Sequence, residues 1–79
     1  MNAVKKQFLF DIHEQIYQIA KNDADLTQKL QKLAFGILSD IDGESAYLSP
    51  FSLIPISDDE EQNENIAGNL HNEFYEIIK

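Results

Sequence analysis

Residues 35–57 read FGILSDIDGESAYLSPFSLIPIS, and how this stretch is read decides the fold. It holds both prolines, Pro50 and Pro55, and two of the three glycines, Gly36 and Gly43. It is also mostly apolar, which is unusual for a connection. Loops run over the surface because a buried loop carries unpaired N–H and C=O groups. An apolar, proline-marked linker of this length is therefore expected to pack down as part of the fold. Pro50 and Pro55 forbid helix there and favour extended backbone in the residues before them. Phe51, Leu53, Ile54 and Ile56 could then lie across neighbouring helices, with room for one short edge strand.

The residues leading into this segment have helical period. Leu26, Leu30, Leu33, Ala34, Ile37, Leu38 and Ile41 make one continuous stripe, with Phe35 pointing away from it. Asp25-Leu-Thr-Gln28 fits a capping box, so the helix is expected to begin at Asp23 or Asp25. Gly43 is its natural stop, because glycine takes the left-handed conformation without a Cβ penalty. Upstream, Val4, Phe8, Leu9, Ile12, Ile16, Ile19 and Ala20 predict a helix from Ala3 to Ala20, with Phe10 and Tyr17 off its main stripe. The short connection around residues 21–25 makes these two helices an antiparallel hairpin. Downstream, Ile66, Leu70, Phe74, Ile77 and Ile78 share a face. They predict a last helix over Ile66 to Ile78. Gly68 weakens its start by about 1 kcal/mol relative to alanine, so Asn69 as its cap is the alternative. The fold class expected is all-α: a helical hairpin plus a C-terminal helix, with the proline-containing segment packed on it, in one small domain over 1–79.

The 79 residues lie near the lower limit for a self-sufficient core, where disulfides, a metal or a partner subunit often contribute. With no cysteine, disulfides and thiolate metal sites are excluded, which favours a reducing compartment. Phe8-Leu9-Phe10 is interrupted at once by Asp11, so neither a signal peptide nor a membrane span is expected, and the expected location is cytoplasmic. Five lysines face four acids in residues 1–39, whereas ten acids face Lys79 alone in residues 40–79, giving the net charge of −8. There is no arginine, the usual residue for bidentate phosphate and base contacts. Direct binding to nucleic acid or an anionic membrane is not expected.

Several constellations invite a chemical reading. Asp40-Ile-Asp42-Gly43 has the letters of the nucleophile loop of haloacid-dehalogenase-type phosphatases. That chemistry needs a buried parallel strand and later Mg²⁺ and lysine motifs, for which this helical setting leaves no room. A small metal-dependent hydrolase at Asp40/Asp42 is thus a minor alternative, and no catalytic residue is assigned. An EF-hand is excluded by register, since position 12 counted from Asp40 is Phe51 rather than a bidentate glutamate. Asp40, Asp42 and Glu44 are left as solvated carboxylates with scope for weak cation binding. Two carboxylates at a helix C-terminus oppose its dipole, a conflict that a metal, a lysine or loop hydrogen bonds could offset. His13 and His71 are the two imidazoles, and neither has a second histidine nearby, so no metal site or cofactor is assigned.

Two surface features remain. Asp58, Asp59, Glu60, Glu61 and Glu64, extended by Glu73 and Glu76, form a candidate surface for a basic partner. The off-stripe aromatics Phe10, Tyr17, Phe35 and Tyr75 form a candidate seam, against the linker or against another subunit in a homodimer. Two functions follow: a non-enzymatic protein-interaction or self-associating module, or an acidic inhibitor that mimics DNA toward a nucleic-acid-binding host protein.

Phe35-Gly-Ile-Leu-Ser-Asp-Ile-Asp-Gly-Glu-Ser45, Leu48-Ser-Pro-Phe51, Leu53-Ile-Pro55, Leu70-His71 and Phe74-Tyr75 together resemble a family of small, acidic, uncharacterised bacterial proteins, often from genomes carrying phage or mobile elements. Its pattern is a helix ending Leu-Asp-Gly-x-Ser, then Leu-Pro-x-Phe-x-Leu-x-Pro, acidic residues, and Leu-His-x-x-Phe. The resemblance covers residues 33–75; in this chain Ser49 precedes Pro50 and Ile41 stands for the usual leucine. It implies a mobile-element setting and carries no catalytic residue.

Overall fold

The computed structural model describes residues 2–56, 58 and 63–79. Among these residues the elements are α1 (Ala3–Ala20), α2 (Ala24–Asp42) and α3 (Leu70–Ile78), with no strand. The all-α expectation of a hairpin plus a C-terminal helix holds.

α1 starts where Asn2 can serve its free backbone donors. The Asn2 side chain accepts from the N–H of Val4 at 2.7 Å and of Lys5 at 3.1 Å. The helix ends as Lys21 turns into the left-handed region and donates its N–H to Tyr17 O at 3.1 Å. Asn22 is also left-handed, and Asp23 N–H reaches Ala20 O at 2.9 Å. This tight reversal makes the hairpin.

The expected capping box at Asp25 does not form. Asp23 is the cap instead, accepting from Leu26 N–H at 3.0 Å, while Asp25 pairs with Lys29 on the surface at 3.0 Å. Asp23 has the extended backbone a cap needs, and Asp25 already lies inside the first turn, where its charge suits the positive helix end.

α2 ends at Gly43, which has φ +84° and donates to Asp40 O, while Glu44 N–H closes back on Ser39 O at 3.0 Å. Gly43 is required for a second reason. A Cβ there would collide with the Pro50 ring. The proline thus packs on the bare glycine and folds the linker back over the end of α2, where Phe51 N–H donates to Ile41 O at 3.0 Å. Leu53 packs against the core, and Leu53 O accepts Ile66 N–H at 2.8 Å. Leu53, Ile54, Pro55 and Ile66 line a cleft with Val4 and Phe8 of α1. These isolated backbone bonds stand in place of the short edge strand the sequence allowed.

The last helix begins at Leu70, four residues later than Ile66 and with Asn69 at its cap position, as the alternative reading has it. Gly68 has φ +106° and Asn69 φ +59°, and two left-handed residues in a row cannot continue a right-handed helix. Ile66 is buried all the same, from the segment that precedes α3.

The core lies where the three helices meet. Leu9, Leu38, Leu70 and Phe74 are fully enclosed, and Ile16 and Ala34 complete the cluster. The molecule is flat, measuring 40 × 31 × 18 Å. Its short dimension is about two helix diameters. The radius of gyration of 13.4 Å exceeds the roughly 12 Å expected of a compact chain this long. Among the described residues no helix is long and apolar enough to cross a membrane.

Substituting Gly43→Ala is expected to cost more than about 1 kcal/mol, because both the left-handed backbone and the Pro50 contact oppose a Cβ. Urea denaturation followed by circular dichroism checks this; an unchanged midpoint would contradict it.

Candidate functional site

The two carboxylates of Asp40-Ile-Asp42 do not converge. Residues two apart on a helix with about 3.6 residues per turn point to opposite sides. Asp40 is exposed, whereas the Asp42 side chain is only 2% exposed. The expectation that Asp42 would be solvated is therefore overturned.

Asp42 sits at the end of α2 and reaches the start of α3. Its Oδ1 accepts Gly68 N–H at 2.9 Å, its Oδ2 accepts His71 N–H at 2.9 Å, and His71 Nδ1 contacts the same Oδ2. Asn69, the local cap position of α3, has no capping hydrogen bond of its own; its Oδ1 is taken by Asn72 Nδ2 at 2.8 Å. Asp42 thus supplies the cap that α3 lacks, across separations of 26 and 29 residues in sequence.

This geometry sets the charge state. Burial pushes the Asp42 carboxyl up, but the hydrogen bonds from the His71 ring and from the backbone N–H groups of His71, Leu70 and Gly68 outweigh it and hold the carboxyl below its ordinary value. An ionised carboxylate only accepts, so the His71 ring donates from Nδ1. Phe35 lies edge-on to that ring at 5.3 Å between centroids, and Tyr75 lies 4.7 Å from Phe35.

α1 closes the junction from the other side. Lys5 Nζ donates to Gly68 O at 2.6 Å and pairs with Glu73 Oε2 at 2.6 Å, with side chains 13% and 18% exposed. The Gly68 residue is therefore gripped at its N–H by α2 and at its C=O by α1. Its φ of +106° makes glycine the residue for that position, although a Cβ there would meet nothing.

The aromatics chosen as a seam divide between two places. Phe35 and Tyr75 stack on each other within the chain. On α1, Phe10 lies 6.0 Å from His13 and Tyr17 is 56% exposed. Of the acidic residues, Asp58, Glu64 and Glu76 are exposed and Glu73 is drawn into the pair with Lys5. Asp59, Glu60 and Glu61 lie outside the described residues. Among the described residues no group of three or more His, Asp or Glu side chains is placed to hold a metal ion.

A feature that periodicity alone did not reveal lies on the α1/α2 hairpin. The linker borders Val4 and Phe8 near the start of α1, but among the described residues the groove beyond them is open. Ile12, Ile16, Ile19, Leu30, Leu33 and Ile37 line it, with a volume of about 160 Å³. Ile19 is 62% exposed, Leu33 60% and Ile37 52%. All belonged to the stripes assigned to the core. The signal was there as stripe width, since α2 carries more apolar positions than one contact face can bury.

No family model, curated protein or solved structure matches this chain.

Asp42→Asn is expected to cost about 2 kcal/mol at neutral pH, the scale of lost charge-assisted hydrogen bonds. A carboxyl held below its unfolded value stabilises fully above that value and loses the contribution as pH falls through the folded value. Wild-type stability should therefore drop as pH falls from about 4, and Asp42→Asn should show a smaller drop. Denaturant titrations at pH 7 and pH 3 check this, and equal drops would contradict it.

Proposed function

We propose that this chain is a non-enzymatic protein-association module whose working surface is the open side of the α1/α2 hairpin. The observation that carries the reading is the groove itself, with Ile19, Leu33 and Ile37 each more than half exposed and contiguous. Isolated apolar side chains on a surface are ordinary, but a contiguous apolar face marks an interaction site. The face lies on two long helices capped at both ends, so a partner would meet a rigid surface with little ordering cost. The chain also has a small core and no disulfides, the situation in which association often supplements stability.

Two further observations favour this reading over the others. Asp42, central to the hydrolase reading, is engaged with the start of α3, and Asp40 points away from it. Glu73 pairs with Lys5, which removes one charge from the acidic row a DNA mimic would present. The resemblance to small acidic bacterial proteins is compatible with such a module and assigns it no chemistry.

A photo-crosslinking side chain placed at position 33 or 37 in the full chain, and as control at exposed position 76, tests the reading inside cells. Protein adducts are expected at 33 and 37 well above those at 76. Equal or absent crosslinking at all three positions would contradict it.

A further inference from the structure

We propose that the occupant of the open face is a second copy of this chain, docked with its α2 antiparallel to α2 of the first. The inference rests on the association reading above and names its partner and register. It starts from Lys29, Leu33, Gly36 and Asp40, which recur at spacings of four, three and four and so share one side of α2. All four are exposed.

Gly36 is the first clue. Glycine in an exposed helix interior costs about 1 kcal/mol relative to alanine. Nothing among the described residues accounts for it: its φ lies outside the left-handed region, and a Cβ there would meet no described atom within 4 Å. Open space beside bare backbone is where a neighbouring side chain can seat closely.

Charge is the second. The stripe carries Lys29 at one end and Asp40 at the other, with Leu33 and Gly36 between. Two copies laid antiparallel about a dyad beside Ala34 and Phe35 bring Lys29 next to Asp40 of the second copy, and Leu33 over Gly36 of the second copy. Both contacts are reciprocal, as a two-fold interface requires. A parallel arrangement would instead set lysine against lysine and aspartate against aspartate, which is repulsive. The pairing also relieves a local conflict, because the Asp40 charge opposes the dipole at the C-terminal end of α2. Lys29 already meets Asp25, but at 71% and 78% side-chain exposure that pair is worth little and can be shared.

α1 borders the same open side of the hairpin, where Ile12, Ile16 and Ile19 line the groove with Leu33 and Ile37. A second copy stacked on this side therefore covers apolar surface of both helices. The result is a four-helix layer that doubles the 18 Å slab.

Sedimentation equilibrium of the full chain over a range of concentrations tests the proposal. The wild type is expected to dimerise. Gly36→Gln improves helix propensity and meets open space in the monomer, so it should fold at least as stably, yet it fills the seat of Leu33 and should weaken the dimer about tenfold or more. Lys29→Asp and Asp40→Lys should each weaken it about tenfold, since each change affects two symmetric pairs. The double variant, with the charges exchanged, should return close to the wild-type constant. A wild type that stays monomeric at roughly millimolar concentration would overturn the proposal. If position 33 then crosslinks a different protein, the association reading stands and only the second copy falls. A dimer indifferent to Gly36→Gln and to the charge exchange would overturn this register.

Discussion

The Asp42 carboxylate is the contact that joins the end of α2 to the start of α3 and so places the third helix on the hairpin. It belongs to the last residue of α2 and accepts the free N–H groups at the start of α3. In isolation each of these ends is unfavourable. A negative charge at the end of α2 opposes its dipole, and α3 begins from two left-handed residues with no cap of its own. Bringing the ends together turns the charge toward the positive end of a second helix, where it is stabilising. Burial then makes the arrangement strict, because an ionised carboxylate at 2% exposure tolerates no lost partner. Lys5 fixes the same turn to α1 by holding Gly68 O and Glu73. Once α3 is held in this way, Leu70 and Phe74 join Leu9 and Leu38 in the buried cluster and complete the core.

The elements that rest on local chemistry were legible in the sequence. α1 spans the residues its periodicity predicts, and α2 stops at the glycine that predicted its end. The misreadings arise where backbone geometry or a distant residue decides. The Asp25 box lost to Asp23 because both fit as caps and only backbone geometry chooses. α3 starts where the Asn69 alternative places it, but the hydrogen bonds of its cap come from Asp42, which no local window contains. The same fact hid the role of His71, whose partner lies 29 residues away. The open groove was hidden differently: periodicity gives the width of an apolar stripe but not which part of it a neighbour covers. Leu33 and Leu38 look alike in sequence, yet one is 60% and the other 1% exposed.

That division has a simple cause in the path of the described residues. Pro50, held against Gly43, directs the segment that carries Leu53, Ile54 and Pro55 back over the end of α2 toward Val4 and Phe8. α3, of nine residues, covers the other side of the hairpin. What the described residues leave uncovered is the far half of the α1/α2 groove, and it is apolar. A layer only about two helices thick cannot hide every apolar stripe that two long helices carry. The junction at Asp42 and the open groove are therefore linked: the contact that assigns α3 to one side of the hairpin is what exposes the other.

The most direct test of the Asp42 junction is an amide-resolved NMR titration of the full chain through the acid range. The expected result is that the Gly68 and His71 amide signals move together along one transition. Its midpoint should lie below the ordinary aspartate value of about 3.9, while the core remains folded. Gly68 and His71 amides that do not respond, or that follow a midpoint at or above the ordinary value, would contradict a capping role for the Asp42 carboxylate.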